Sequence, residues 1–265
     1  MSFSIKGKTA IVTGAANGIG LAISRHFVDQ GAKVMMIDKD EEQLKKEVAF
    51  LSSKDGQAKC FTCDLREKLS HTNLLSATID LFEKVDILVN ASRQVTAMNP
   101  IDYNDDNVIT MLDQNLMSSL RLTQLVSKRM IKQARGTEFS GSILNLSSIA
   151  ARRTRPGLMG YSISSAALNQ MTRTMAIALA PYNIRVNAIS FGSVLSESLK
   201  NTLKEDQDLR SEIIKNTPLG RIAPASEIAQ AAQFLCSEAS TFVTGEIITI
   251  DGGRSLLDPV KKGAH

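Results

Sequence analysis

Several features are scarce in this sequence of 265 residues, and each scarcity excludes a class of protein. Tryptophan is absent and aromatic residues make up 5% of the chain, so no stacking platform for nucleic acid is expected. The 31 Lys and Arg residues form no basic block among aromatic residues, which also argues against a nucleic-acid partner. No apolar run approaches the roughly 20 residues of a membrane span, so we expect no membrane partner.

Cysteine is also rare, since three residues are too few for a disulfide framework. Cys60 and Cys63 have the spacing of some redox or metal sites, but their run is more typical of a buried strand, and zinc would need further ligands. The three histidines share no metal-ligand spacing, and we predict no metal site. These residues are His26, His71 and His265. The first seven residues lack the basic start and apolar middle of a signal peptide, so a cytoplasmic protein is expected.

A glycine-rich turn follows a β-prone start and precedes a helical pattern. Strand, glycine turn and helix in this order predict a βα unit that binds a pyrophosphate at the helix N-terminus. In such a unit Gly14 permits the tight turn, Gly18 lets the backbone approach the ligand, and Gly20 lets the helix pack closely. The predicted phosphate-binding residues are Gly14, Asn17, Gly18, Ile19 and Gly20.

An acidic residue, Asp38, ends the apolar run 34–37. A carboxylate accepts hydrogen bonds from two hydroxyls, so Asp38 is predicted to bind a ribose diol. It would repel a 2′-phosphate, and the turn 15–17 carries no basic residue, which together favour NAD over NADP. Lys39 beside it keeps NADP as the less favoured alternative. A second interpretation is an ordinary structural βαβ unit in which Asp38 caps a helix.

Strand-like runs alternate with helical patterns along the whole chain. This alternation predicts an α/β fold of Rossmann-like type, a doubly wound parallel sheet of about seven strands with helices on both faces. No linker or composition shift divides the sequence, so we predict a single domain over residues 1–265. A polar and charged stretch at about 193–218 predicts a helical lid over the substrate.

A serine and a tyrosine are placed for carbonyl chemistry. Ser148 follows the fifth predicted strand, where ligands bind in such sheets, and Tyr161 begins the next helix. A hydroxyl that holds a carbonyl oxygen and a phenol that exchanges its proton would form an acid–base pair beside a nicotinamide. Each residue alone is common at such positions, and the pair gains meaning only from the glycine turn.

Together these features resemble the short-chain dehydrogenase/reductase family over almost the whole chain. The matching segments are the turn 13–20, Asp64-Leu65, Asn90-Ala91-Ser92, Asn115, Asn145 to Ser148, Tyr161 and the C-terminal region 243–253. The resemblance implies an NAD(P)-dependent oxidoreductase that interconverts an alcohol and a carbonyl by hydride transfer. Its catalytic residues would be Ser148, Tyr161 as acid and base, and Asn115, which would anchor a proton-relay water.

The resemblance also implies further cofactor contacts and an assembly. The family's C-terminal strand often builds an interface, so a homo-oligomer, a dimer or tetramer, is expected. The implied cofactor-binding residues beyond the glycine turn and Asp38 are Asp64, Leu65, Asn90, Ala91, Tyr161, Ser165, Gly192 and Val194.

The chain departs from the family at its catalytic lysine. The family pattern is Tyr-x-x-x-Lys, whereas this chain has Ser165 at the lysine position. Ser165 keeps a possible hydrogen bond to ribose but brings no charge to stabilise a phenolate. We therefore expect catalysis weakened by on the order of 10²–10⁴-fold, with alcohol oxidation affected more than carbonyl reduction. Three further positions also differ from the family: Ser92 stands for Gly, Phe191 for Pro and Ser196 for Thr.

Four arginines near the entrance of the predicted substrate site have three open interpretations. In the first, one of them replaces the charge of the missing lysine. In the second, they bind an anionic substrate such as a carboxylate or a phosphopantetheine thioester, and in the third they form a solvated basic loop. These residues are Arg93, Arg152, Arg153 and Arg155.

The function also keeps an alternative. A cofactor-binding pseudoenzyme or regulatory subunit competes with the oxidoreductase, because the lysine is missing. Within the oxidoreductase hypothesis, a 3-oxoacyl thioester reductase is one alternative, and a steroid or a sugar alcohol are other open substrates.

Overall fold

Seven parallel strands form the central sheet of the computed structural model, which describes residues 2–52, 57–133 and 141–258. In chain order these strands are β1 (Thr9–Thr13), β2 (Lys33–Asp38), β3 (Gln57–Thr62), β4 (Ile87–Asn90), β5 (Gly141–Ser148), β6 (Ile184–Phe191) and β9 (Ile247–Ile250). A separate pair consists of β7 (Val194–Leu195) and β8 (Ala223–Pro224). The order across the main sheet is β3-β2-β1-β4-β5-β6-β9, and the change of direction between β1 and β4 opens a crevice at their carboxyl ends.

Helices connect the strands of the described chain. They are α1 (Gly18–Asp29), α2 (Glu41–Ser52), α3 (Lys68–Phe82), α4 (Asn107–Leu112), α5 (Ser118–Gln133), α6 (Met159–Leu179), α7 (Glu197–Glu205), α8 (Gln207–Lys215) and α9 (Ala225–Cys236). A π-helical turn, Asp113–Met117, joins α4 to α5.

Both faces of the sheet are buried, because successive strand residues point to opposite sides. In β1, Val12 packs in the cluster that contains Phe27 of α1, whereas Ile11 packs in the cluster that contains Leu122 of α5. The buried strand interiors are therefore mainly apolar, as is typical of parallel sheets, although β5 and β6 also bury Asn145 and Asn187. The predicted α/β fold with helices on both faces is confirmed.

The segment between β7 and β8 has a small apolar cluster of its own. Leu203 of α7 packs with Ile213 of α8 and with Ile222. The side chains of Ser196 and Asp206 cap the two helices by accepting hydrogen bonds from the N–H groups of Leu199 and Leu209. The predicted helical character of 193–218 agrees with these two helices, and the role of this segment as a lid stays a prediction.

Some sequence predictions reach beyond the described residues. His265 and both ends of the predicted single domain lie outside the three described ranges. Within those ranges, no helix has the length and apolar character that crossing a membrane requires.

Candidate active site

An open cleft of about 660 Å³ lies beyond the carboxyl ends of β1, β2 and β3. It brings together residues that are far apart in the chain but were predicted to bind one cofactor. The predicted residues that line it are Gly14, Asn17, Gly18, Ile19, Gly20, Asp38, Asp64, Leu65 and Ala91.

Two positions of the turn require glycine for different structural reasons. At Gly20 an added Cβ would lie 2.1 Å from the carbonyl oxygen of Gly14, so the helix packs against the turn too closely for any side chain. Gly18 has φ +58° and would meet only the Cβ of Ser196, at 3.7 Å. The backbone at Gly18 is therefore exposed to the cleft, where a phosphate can approach the N-terminus of α1.

The carboxylate of Asp38 accepts hydrogen bonds from the backbone of the glycine turn and from the backbone that follows β2. Its Oδ2 accepts a hydrogen bond from the N–H of Ala16 at 3.1 Å, and its Oδ1 accepts from the N–H groups of Lys39 at 2.8 Å and Asp40 at 3.3 Å. Oδ2 accepts one of these three bonds and keeps a further lone pair for a ribose hydroxyl. The expected helix cap is not made by Asp38, because the Oδ1 of Asp40 accepts the hydrogen bond from the N–H of Gln43 in α2, at 3.0 Å. Asp38 instead orders the turn and lines the cleft.

Asp64 also keeps its negative charge in the cleft. The Arg66 guanidinium pairs with it, with Nη2 at 2.5 Å from Oδ2, and this hydrogen bond holds the pKa of the Asp64 carboxyl below its usual range. Its neighbour Cys63 lines the cleft, and burial raises the pKa of that thiol to about 11. Burial likewise raises the pKa of Cys60, so neither thiol has the reactive form that a redox pair needs. Within the described ranges, no group of three or more His, Cys, Asp or Glu residues could hold a metal ion.

The segment after β4 is held at two points. The Thr13 hydroxyl accepts hydrogen bonds from the N–H groups of Ala91 and Ser92, at 2.9 and 3.0 Å. The Asn115 amide accepts from the N–H of Gln94 at 2.7 Å and donates to its carbonyl at 2.9 Å. Asn115 is buried in the π-helical turn, which orients its side chain toward this segment. The proton-relay role of Asn115 stays a prediction.

Asn90 belongs to a network inside the sheet rather than to the cleft lining. Its amide donates to the Thr123 hydroxyl at 3.0 Å and to the Asn145 side-chain oxygen at 2.8 Å. Val194, another predicted cofactor contact, is buried in β7. Both side-chain N–H groups of Asn90 are therefore engaged inside the sheet, and the cofactor contacts of Asn90 and Val194 stay predictions.

Ser148 and Tyr161 meet at a second open cavity, of about 530 Å³. Ser148 ends β5, its hydroxyl accepts a hydrogen bond from the N–H of Ala150 at 3.1 Å, and Tyr161 lies in the first turn of α6. Gly192, which was predicted as a cofactor contact, lines the same cavity. The charged lining residues are four cations and one carboxylate: Arg153, Arg155, Lys215, Arg254 and Asp258.

Two of these cations, Lys215 and Arg254, were missed in the sequence. They follow β6 at long and unequal intervals, so no local motif links them to Tyr161. Arg153 and Arg155 were among the four arginines considered, and the structure brings both to the cavity wall.

Arg93 lies at the boundary between the cleft and the cavity. It lines the cleft, and its Nη1 donates a hydrogen bond to the hydroxyl of Tyr161, which lines the cavity. Its guanidinium carbon lies 4.2 Å from the ring centroid of Phe191 and 5.8 Å from that of Tyr161. Of the four arginines considered in the sequence, Arg93 is the one in contact with the phenol.

Ser165 borders a small void beside this contact. The void measures about 10 Å³, enough for about one water molecule, and Ser165 lines it together with Arg93, Tyr161 and Asn115. Ser165 itself is buried. The lysine position of the family pattern is therefore occupied by a short neutral side chain with the Arg93 side chain nearby.

Known proteins share this architecture and much of the sequence. A family model described as enoyl-(acyl carrier protein) reductase matches residues 14–255. The 7alpha-hydroxysteroid dehydrogenase of Escherichia coli (strain K12) is 33% identical over 249 residues, which cover 94% of each chain. The chain belongs to the short-chain dehydrogenase/reductase family.

Two further relatives support the same assignment. A 3-oxoacyl-[acyl-carrier-protein] reductase of Thermotoga maritima is 31% identical over 249 residues, covering 94% of this chain and 98% of the other. A solved structure of 7 alpha-hydroxysteroid dehydrogenase, complexed with NADH and 7-oxo glycochenodeoxycholic acid, has a TM-score of 0.88 and 33% identity, and the match covers 95% of each chain. This short-chain dehydrogenase/reductase is an oxidoreductase of the NAD(P)-dependent type.

The residues of this family member fit a dinucleotide. A Cβ at Gly18 would meet only Ser196, which leaves the backbone free to approach a phosphate, and Asp38 keeps acceptor capacity toward the same cleft. Arg93 links that cleft to Tyr161 at the cavity. When bound, the nicotinamide would supply or accept the hydride of the reaction.

Proposed function

We propose that this protein interconverts a small alcohol and the corresponding carbonyl, that it uses NAD in preference to NADP, and that its substrate is an anion. The observation that carries the proposal is the joint lining of one open cavity by Ser148, Tyr161 and four cationic side chains. A hydroxyl and a phenol provide the chemistry, and the cations provide the preference for negative charge.

In the reduction direction, Ser148 would donate a hydrogen bond to the substrate carbonyl oxygen, and Tyr161 would transfer its phenolic proton to that oxygen as the carbonyl carbon gains a hydride. In oxidation, the phenolate would take the proton from the alcohol. Both side chains are buried in the cavity wall, which fixes the positions of the two hydroxyl groups.

The charges at the cavity support an anionic substrate. Arg254 donates to the neutral Ser193 hydroxyl at 2.7 Å, and Arg153 donates to the backbone carbonyls of Ser255 and Leu257. None of these partners carries negative charge, so the two guanidinium charges are not neutralised by them. Asp258 is the one carboxylate among the lining residues, and the lining charge is positive overall.

The preference for NAD rests on Asp38. Its carboxylate stands at the cleft where the ribose of the adenosine would lie, and it would repel a 2′-phosphate. Lys39 lines the same cleft, which is the reason to measure both cofactors.

The test is reduction of a panel of keto acids and their methyl esters, each with NADH and NADPH. We expect the acids to exceed their esters in kcat/KM by about tenfold, because one or two ionic contacts distinguish them. Arg155→Gln should remove most of that preference and leave the esters unaffected, whereas Arg173→Gln, an exposed arginine on α6, should change neither. Equal rates for acids and esters would contradict the anionic substrate.

The second candidate function is a cofactor-binding pseudoenzyme or regulatory subunit, favoured by the neutral Ser165 at the lysine position. It predicts NADH binding by calorimetry without turnover of any compound in the panel. Turnover that Tyr161→Phe lowers by on the order of 10²–10⁴-fold, with NADH still bound, would exclude it. A cytoplasmic location and a homodimer or homotetramer are further proposals from the sequence.

A further inference from the structure

The phenol of Tyr161 is contacted by a cation that comes from a different part of the chain than the family lysine. Nη1 of Arg93 donates a hydrogen bond to the Tyr161 hydroxyl. Because Arg93 has no acceptor groups, the phenol oxygen accepts this bond, and its own proton stays available for another acceptor.

One contact holds the Arg93 side chain directly, and two further contacts hold the backbone on either side of it. Its guanidinium lies over the Phe191 ring, 4.2 Å from the centroid, and such a cation–π contact requires an aromatic side chain there. The preceding backbone is bound by Thr13, and the following residue, Gln94, is bound on both of its backbone polar groups by Asn115. Thr13 and Asn115 are therefore positioning residues for Arg93.

The charge of Arg93 is not neutralised by an acidic group. In the part of the chain that the structure describes, Arg93 forms no ion pair, and its polar and ring contacts are to Tyr161 and Phe191. The other charged groups that face Tyr161 line the substrate cavity: Arg153, Arg155, Lys215, Arg254 and Asp258. Of these groups, none makes a hydrogen bond to the phenol oxygen that the structure records.

We propose that Arg93 is a catalytic residue, whose guanidinium stabilises negative charge on the Tyr161 oxygen and thereby takes over the task left by the neutral Ser165. The inference rests on the proposed function, since it assigns a role within the same site. It also connects two departures from the family pattern, because Phe191 is the surface on which the Arg93 guanidinium lies.

A spectroscopic titration tests Arg93 without relying on turnover. The chain has no tryptophan and three tyrosines, so Tyr103→Phe with Tyr182→Phe leaves Tyr161 as the one source of tyrosinate absorbance near 295 nm. Tyr103 is 98% exposed and Tyr182 48%, so both replacements leave the site intact.

In that background, Arg93→Met should move the midpoint of tyrosinate formation to higher pH by about one to three units. Arg93→Lys, which keeps the charge, should move it less, and the distant Arg173→Met should leave it unchanged. Far-UV circular dichroism at each pH verifies that the protein is folded. An unchanged midpoint in Arg93→Met would overturn the proposal.

Kinetics supply the second test. Arg93→Met should lower the rate of alcohol oxidation by about 100-fold, while the calorimetric affinity for NADH changes little. Adding Ser165→Lys to Arg93→Met should recover at least about tenfold of that loss, because a cation again lies beside the phenol. If Arg93→Met instead bound NADH more tightly and turned over faster, Arg93 would be an obstruction, and the proposal would be wrong.

The two tests distinguish a failure of the proposed reaction from a failure of the proposed role of Arg93. A shifted midpoint in a protein that turns over no panel substrate would retain the Arg93–Tyr161 coupling and reject the proposed reaction. Normal turnover with neither a shifted midpoint nor a slower Arg93→Met variant would retain the reaction and reject the role of Arg93.

Discussion

The two ends of the active site differ in how closely they follow the family pattern. At the end formed by β1, β2 and β3, the predicted glycines and acids all line one cleft. At the end near Tyr161, the lysine, one glycine and one proline of the family are replaced by Ser165, Ser92 and Phe191.

The difference teaches that tolerance to substitution depends on what surrounds a residue. Gly20 faces a backbone oxygen at a distance that admits no side chain, so its identity is dictated by packing. Around Tyr161 the functional contacts run between side chains, and side chains can be exchanged as a set. The Arg93 guanidinium lies over the Phe191 ring, and the Arg93 side chain also borders the small void beside Ser165.

The largest expected effect concerns the glycine turn. Gly20→Ala places a Cβ 2.1 Å from the Gly14 oxygen, so the turn must shift. We expect a loss of about 3 kcal/mol in the free energy of unfolding and no NADH binding that calorimetry can detect. The matched variant Gly18→Ala has open space and suffers only from its positive φ, at about 1 kcal/mol. Equal urea midpoints for the two variants would remove the packing argument.

A smaller effect is expected at Asp38. Asp38→Asn keeps the size of the side chain but removes its charge, so the NADH dissociation constant should rise by about tenfold. The NADPH constant should stay equal or fall, because repulsion of a 2′-phosphate is relieved. Asp40→Asn is the control, since Asp40 is exposed and caps α2 through the N–H of Gln43. Parallel losses for both cofactors would show that Asp38 acts on the turn rather than on the ribose.

The smallest expected effect compares two ligands. ADP-ribose lacks the nicotinamide, and in this protein its dissociation constant should lie within about threefold of that of NADH, since Ser165 offers no charge near Tyr161. Isothermal titration of both ligands decides the point. A much tighter NADH would mean that the Tyr161 end contributes strongly to affinity despite its substitutions.

The fold could be predicted from the sequence because its signals are local. Apolar runs, glycine turns and helical periodicity each depend on a few adjacent residues, and parallel strands with helices between them allow few topologies. The cleft was predictable for the same reason, since Gly14 to Gly20 and Asp38 belong to a single βαβ unit.

The rest of the site depends on distant pairs. Arg93 and Phe191 are almost 100 positions apart, and no periodic pattern relates them. From the sequence, Phe191 is therefore only a departure from the family pattern without an explanation. Arg93 was considered with three other arginines, and only its contact with the Tyr161 hydroxyl distinguishes it from them. Lys215 and Arg254 reach the cavity from the end of α8 and from the region after β9, which a sequence pattern does not reveal.

The closeness of Ser196 to Gly18 bears on the sequence of events in each catalytic cycle. Ser196 caps the N-terminus of α7 and lies beside the backbone of the phosphate turn at Gly18. A nucleotide phosphate bound at this turn would lie beside Ser196 and the start of the predicted lid, so the lid would close over the nucleotide as well as over the substrate. Steady-state kinetics should then be ordered, with the nucleotide arriving first and leaving last.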